Sequence, residues 1–205
     1  MEKSAENPFV LFDREKGGAA CLLCGVDEAG RGPLCGPVTV AAAILDYRTP
    51  IEGLNDSKKI SEKKREKLYE LIIECALAYE VVHIPPEVID EINIHNATLL
   101  GMKKAVGNLK ITPDQVLVDG NFVPALSVPC QAVVKGDAKS ACIAAASILA
   151  KVTRDRLMRE LGKEYPQYRL EQHKGYPTKL HYALLDEHGV APFYRKSFLK
   201  KRGYV

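Results

Sequence analysis

The sequence contains no tryptophan, so aromatic stacking on any ligand falls to its nine tyrosines and five phenylalanines. It has no run of the roughly 18 apolar residues that a membrane-spanning helix needs. A helical membrane anchor is therefore not expected. The opening residues, Met1-Glu2-Lys3-Ser4-Ala5-Glu6-Asn7-Pro8, lack the apolar centre of a secretory signal, and a cytoplasmic location is the expectation. Internal repeats and low-complexity stretches are absent. Only one C-x-x-C pair occurs, Cys21 and Cys24. Read as part of a strand, its two thiols point to opposite faces and make a poor zinc site. Charge excess is small too: 29 Lys and Arg against 26 Asp and Glu give +3. Total charge therefore does not identify a nucleic-acid partner, and its distribution has to be read instead.

What is present fits one folded unit with a sizeable core: 205 residues, 46% hydrophobic and 27% charged. Apolar runs predict strands over residues 20–26, 37–45, 79–84, 116–118 and 131–134. Helical spacing predicts helices over 62–78, 87–92, 97–106, 138–161 and 179–187. Ser61 is a natural N-cap for the first of these. The 138–161 helix begins alanine-rich, able to lie close against a sheet, and ends charged. Residues 162–177 read as a loop. The short glycine-rich link after residue 26 makes the first two strands antiparallel neighbours. The whole reads as α/β, a mixed sheet covered by helices.

Four acids share one context. Asp27, Glu28, Asp119 and Asp137 each close or follow a short apolar strand and sit close to glycine. Any one of them alone reads equally as a turn former or helix cap. If their strands are neighbours, four carboxylates meet at one rim and repel, which favours bound hard cations such as Mg²⁺ or Mn²⁺. Two such ions about 4 Å apart can activate water and stabilise the leaving oxygen of a phosphodiester. Adjacent strand residues face opposite ways, so the chain is expected to bend at Asp27-Glu28, with Gly30 supplying the freedom. Asp137 is expected just ahead of the long helix, where the dipole favours it. Gly30-Arg31-Gly32 reads as a tight turn whose backbone could meet a ribose 2′-hydroxyl.

These residues resemble a family. Asp27-Glu28-Ala29-Gly30-Arg31-Gly32-Pro33, Asn55-Asp56-Ser57-Lys58-Lys59, Val118-Asp119-Gly120-Asn121, Lys135-Gly136-Asp137, the segment from Ala144 to Asp155, and Lys174-Gly175-Tyr176-Pro177-Thr178 occur in the order seen in bacterial ribonuclease HII. Cys35 stands where that family commonly has a smaller residue such as alanine. The resemblance implies a ribonuclease H-like fold, with a catalytic domain over 1–161. Residues 162–205 would form a helical extension completing the substrate groove. It implies an endonuclease using two Mn²⁺ or Mg²⁺ ions. The substrates would be RNA–DNA hybrid and duplex DNA carrying single ribonucleotides, cut on the ribonucleotide's 5′ side to leave 3′-hydroxyl and 5′-phosphate ends. A monomer with no membrane partner is expected. By the same pattern Asp27, Glu28, Asp119 and Asp137 are the catalytic, metal-holding carboxylates. Gly30, Arg31 and Gly32 read the 2′-hydroxyl, and Tyr176 stacks on the neighbouring sugar.

Plainer readings stand beside these. Ser57, Lys58 and Lys59 could hold a phosphate or form a solvated loop before a helix. Tyr176 could stack or simply pack, and the basic residues 195–202 could meet a duplex or be a solvated end. His173, His181 and His188 read as structural or surface groups. Two rivals to the endonuclease remain: a hybrid-binding module without turnover, and a metal nuclease of the same superfamily acting on DNA.

Overall fold

Val, Ile, Leu and Ala runs build five strands, and in the computed structural model they form one mixed sheet in the order β3-β2-β1-β4-β5. The structure describes residues 7–17, 21–49, 51–54 and 60–205. Strands β1 (Leu23–Ala29), β2 (Val38–Leu45) and β3 (Ala76–Ile84) are antiparallel neighbours. Strands β4 (Gln115–Asp119) and β5 (Cys130–Val133) run parallel to β1. The α/β expectation and the β1–β2 hairpin are thus found as read.

Two helices cover the two faces. Helix α4 (Ala141–Glu164) lies on one, beside the shorter α1 (Pro8–Gly17) and α2 (Glu62–Cys75). Its first ten residues are all buried, and Ser140 caps it by accepting from the Ile143 amide at 3.2 Å. Helix α3 (Pro86–Gly107) covers the other face. Side chains alternate accordingly: Leu23 and Leu117 pack with α4, whereas Cys24, Val26, Val116 and Val118 pack with the α3 residues Met102 and Ala105. Each fully buried Leu or Ile contributes roughly 1.5–3 kcal/mol. Gly25 lets α4 approach β1 closely, since a Cβ there would lie 2.1 Å from the Cys142 carbonyl carbon.

Several boundaries differ from the sequence reading. Helix α1 was not expected at all. Helix α2 stops at Cys75 and passes directly into β3, which begins three residues earlier than its apolar run suggests. The two helices read around residue 94 are one element kinked at Asn93, whose φ is +66°. The stretch 162–177 is not a plain loop: it holds a 3₁₀ turn at Pro166–Tyr168 and the one-turn helix α5 (Leu170–His173). Helices α6 (Lys179–His188) and α7 (Lys196–Leu199) follow. This C-terminal segment has its own apolar cluster, in which Tyr168, Leu170, Leu185, Tyr194 and Leu199 meet Leu34, Cys35 and Met158. No described helix is long and apolar enough to cross a membrane.

Candidate metal centre and substrate turn

Strand register brings the first acids together. β1 and β4 run parallel with Val26 opposite Val118, so the next residues, Asp27 and Asp119, end side by side on the α4 face. Asp137 joins them from a 3₁₀ turn (Gly136–Ala138) between β5 and α4, entered through Lys135 at φ +55°. Ligand oxygens of Asp27, Asp119 and Asp137 lie within 4.8 Å of one another. Asp137 precedes α4 as read, though by four residues, since the helix starts at Ala141 and Ser140 caps it.

Each carboxylate is oriented by the chain around it. Asp27, 4% exposed, accepts from the Glu28 amide at 2.7 Å and from the Ser147 hydroxyl on α4. Asp119 Oδ1 accepts from the Gly136 amide at 2.6 Å and the Asp137 amide at 3.3 Å. Burial, then the charges of Glu28 and Asp119, push the Asp27 carboxyl well above the usual range. A positive ion relieves that cost, and an all-oxygen donor set suits a hard divalent cation such as Mg²⁺ or Mn²⁺. The residues present therefore fit such an ion.

Glu28 is placed differently. The strand continues straight through Asp27-Glu28 to Ala29, pairing Asp27 with Ala41 and Glu28 with Val40. The expected bend between the two acids is absent: ladder pairing with β2 continues through both and keeps them on opposite faces. Glu28 consequently faces the α3 side, where it lies 3.4 Å from the Arg31 guanidinium. It lines a cleft with Arg31, His95, Asp119 and Phe122. Chain reversal comes one step later, at Gly30 with φ +93°.

Two buried arginines brace this stretch, Arg195 at the Gly30-Arg31-Gly32 turn itself and Arg154 at the chain just after it. Arg195 donates to four carbonyls: Gly30 at 2.6 Å, Arg31 at 3.1 Å, Pro33 at 2.8 Å and Gly36 at 2.9 Å. Arg154, on α4, donates to Pro37, Cys35 and Lys174 carbonyls at 3.0, 3.2 and 3.0 Å. A Cβ at Gly30 would fall 2.0 Å from Arg154 Nε, so only glycine fits above this guanidinium. Arg195 was read as part of a basic solvated or duplex-facing stretch; it is instead wholly buried. Such a cation is tolerated inside because carbonyl oxygens accept from four of its five N–H donors.

Tyr176 stands beside this turn. Its side chain is 41% exposed, and its ring lies 3.8 Å from where a Gly32 Cβ would be. Its backbone is fixed by a pair of histidines stacked at 4.0 Å. His181 Nδ1–H donates to the Tyr176 carbonyl at 2.9 Å, which leaves Nε2 to accept from the Tyr194 hydroxyl at 2.9 Å. His173 Nε2–H donates to the Tyr168 carbonyl and its Nδ1 accepts from the Gly175 amide. These two histidines are structural, as read. Ser57 and Lys58 lie outside the described residues. All six cysteines are free thiols, so Cys21 and Cys24 form no disulfide.

Sequence reasoning missed Arg154, Arg195 and Ser147. A signal existed for two of them: Ser147 and Arg154 are seven residues apart, on one helical face, in line with the buried Ala150 and Met158. No periodicity marks Arg195.

The family model described as Ribonuclease HII matches residues 24–201. The ribonuclease HII of Caldicellulosiruptor bescii is 53% identical over 195 residues, covering 95% of this chain and 95% of that protein. That of Psychromonas ingrahamii is 58% identical over 177 residues, covering 86% and 87%. Among solved structures, the ribonuclease H2 from Pyrococcus horikoshii superposes with a TM-score of 0.78 at 30% identity, covering 89% of this chain and 96% of that one.

Proposed function

The chain belongs to the ribonuclease HII family and is a ribonuclease H; from that premise we propose that it hydrolyses the RNA strand of RNA–DNA hybrids. It also cuts on the 5′ side of a single ribonucleotide in duplex DNA, leaving 3′-hydroxyl and 5′-phosphate ends. The observation that carries this reading is the meeting of Asp27, Asp119 and Asp137 oxygens within 4.8 Å, with Gly30-Arg31-Gly32 starting three residues after Asp27.

On this reading Asp27, Asp119 and Asp137 hold divalent ions, two in the active complex, and Glu28 contributes from the α3 side. When bound, such ions make water nucleophilic at neutral pH and neutralise charge on the phosphodiester. The protein does the rest. The Ser147 hydroxyl and the amides of Glu28, Gly136 and Asp137 keep the carboxylates aimed, so little reorganisation is needed on ion binding. Arg195 and Arg154 fix the turn before substrate arrives, and its backbone hydrogen-bonds the 2′-hydroxyl that marks a ribonucleotide. Tyr176 stacks on the sugar next to it, and Ser57 and Lys58 hold a backbone phosphate. Residues 162–205 then act as an extension of the 1–161 catalytic domain. They supply Tyr176 to the groove and Arg195 as the buried support of the turn.

A duplex carrying one ribonucleotide, incubated with Mg²⁺ or Mn²⁺ beside an all-DNA duplex and an EDTA control, tests the reading. Cleavage is expected only of the first, only with metal, at the bond 5′ to the ribonucleotide. Asp119→Asn should lower kcat by at least about a hundredfold with an unchanged circular dichroism spectrum. Cleavage of the all-DNA duplex at a similar rate, or metal-independent cleavage, would overturn it.

A further inference from the structure

Nine large apolar side chains are exposed among the described residues, and four of them, Phe122, Val123, Val134 and Tyr176, stand within four residues of a site acid or beside the substrate turn. Single exposed apolar groups are ordinary on a protein surface, but Phe122 and Tyr176 are aromatic rings, Phe122 in one cleft with Asp119 and Tyr176 beside the turn. Tyr176 already has a role in the proposed function. Phe122 has none, although it is the most exposed of the nine at 57%.

Its position follows from two backbone features. Gly120, at φ +97°, turns the chain away from β4 directly after Asp119 and presents the 121–123 segment at the rim. Across the cleft, α3 kinks at Asn93, and the Asn93 side chain restarts the helix by accepting from the Asn96 amide at 3.1 Å. His95 follows that kink. Its ring meets Phe122 edge-on, centroids 4.7 Å apart at 78°. This edge-on contact limits the phenyl ring's swing while much of its surface stays exposed.

Glu28, Arg31, His95, Asp119 and Phe122 line one cleft of about 130 Å³, floored by Leu99 and Met102. That cleft runs from the site acid Asp119 to the turn residue Arg31, so a duplex seated on the site enters it. Apolar lining from Leu99 and Met102 and a braced, exposed phenyl ring suit the flat face of a base or sugar.

We propose that Phe122, braced by His95, is a stacking contact for a nucleotide of the bound duplex next to the scissile phosphate, a second aromatic positioning contact besides Tyr176. This inference rests on the proposed function, since it takes a nucleic-acid duplex as the occupant. Stacking is sequence-tolerant, which suits an enzyme that reads the sugar and ignores base identity.

The test places 2-aminopurine in turn at each nucleotide flanking the ribonucleotide and follows its fluorescence on binding in EDTA, where the duplex stays intact. Wild-type protein is expected to quench the probe at a position where Phe122→Ala does not and Phe122→Tyr does. With Mg²⁺, Phe122→Ala should raise KM about tenfold, with the loss falling on KM rather than kcat, and Phe122→Tyr should restore it. The proposal is overturned if Phe122→Ala keeps every quench and its KM stays within about twofold of wild type, less than about 0.4 kcal/mol. Failure of the function itself looks different. Wild-type protein that quenches the probe through Phe122 but never cuts would overturn the nuclease reading and leave the contact standing.

Discussion

Removing the guanidinium of Arg195 while keeping its alkyl length, as in Arg195→Met, tests whether the substrate turn is held from the C-terminal segment. Arg195 makes four bonds to four carbonyls, of Gly30, Arg31, Pro33 and Gly36. Burial, and then the neighbouring Arg154, push its pKa down to about 9, so it is still a cation at neutral pH. A hydrogen bond to a charged donor contributes roughly 1.5–3 kcal/mol, so four lost at once would sum to roughly 6–12. The full sum is not expected, because the variant no longer buries a charge, whose desolvation costs several kcal/mol. Removing one partner from a buried charged network costs about 3–5 kcal/mol, and that is the expected loss here. Arg195→Lys, with three donors and no planar fork, should lose roughly half as much. Against a total stability of about 5–15 kcal/mol this is a large fraction, which makes the loss easy to read. Urea unfolding reads the loss. Hydrogen exchange locates it, because the amides of Leu34, Gly36 and Arg195 bond across to Gly175, Phe193 and Leu34 and should exchange first. An Arg195→Met protein within about 0.5 kcal/mol of wild type, with those amides still protected, would refute the idea that this side chain holds the turn.

Two further outcomes follow from the electrostatics of the site and of the Tyr176 loop. The Asp27 carboxyl is raised in the folded protein, so its stabilising, protonated state is fully present below the unfolded pKa and lost as pH rises through the folded one. Asp27→Asn should therefore raise the melting temperature of the metal-free protein at neutral pH while abolishing the added stability from Mg²⁺ or Mn²⁺; calorimetry with and without metal decides, and a lower metal-free value would contradict it. His181 is shifted the other way, pushed down to about 4 by burial. Its unfolded form takes a proton near 6.5, so its contribution is complete above that pH and declines between about 6.5 and 4. Acidification through that window should open residues 173–195 first, seen as faster exchange there than in β1 or α4. Uniform exchange across the chain would count against it.

Much of the architecture was legible because it rests on periodicity and turn chemistry. The alanine run of 141–150 announced a helix lying close on a sheet, and Gly25 is the matching notch in β1. The glycine-rich turn announced a hairpin. What stayed hidden depends on partners far away in sequence. Helix α1 carries no strong apolar stripe; it is held by Asp13, which accepts from the Cys142 amide and the Tyr47 hydroxyl, 129 and 34 residues distant. Arg195 sits among lysines and reads as surface until the carbonyls of residues 30–36 are placed around it. The three acids that converge are separated by up to 110 residues, and only strand order makes them neighbours.

The position of Glu28 shows where local chemistry misleads. Adjacent acids suggested a chain that bends so that both can serve one ion. Register decides otherwise: β2 pairs with β1 through Ala29, so Asp27 and Glu28 take opposite faces of an undistorted strand. The consequence is two groupings on either side of the sheet edge. On the α4 face Asp27 meets Asp119 and Asp137, an all-oxygen set that fits a hard cation. On the α3 face Glu28 lines a cleft with Arg31, His95 and Phe122. Because β1 carries one member of each grouping and then turns at Gly30 into the arginine-held loop, any shift of β1 against β2 by one residue would exchange the two faces. Both groupings and the turn would then be lost together. The antiparallel pairing of Val38–Leu45 with β1, remote from the chemistry in sequence terms, is thus what sets the site's geometry.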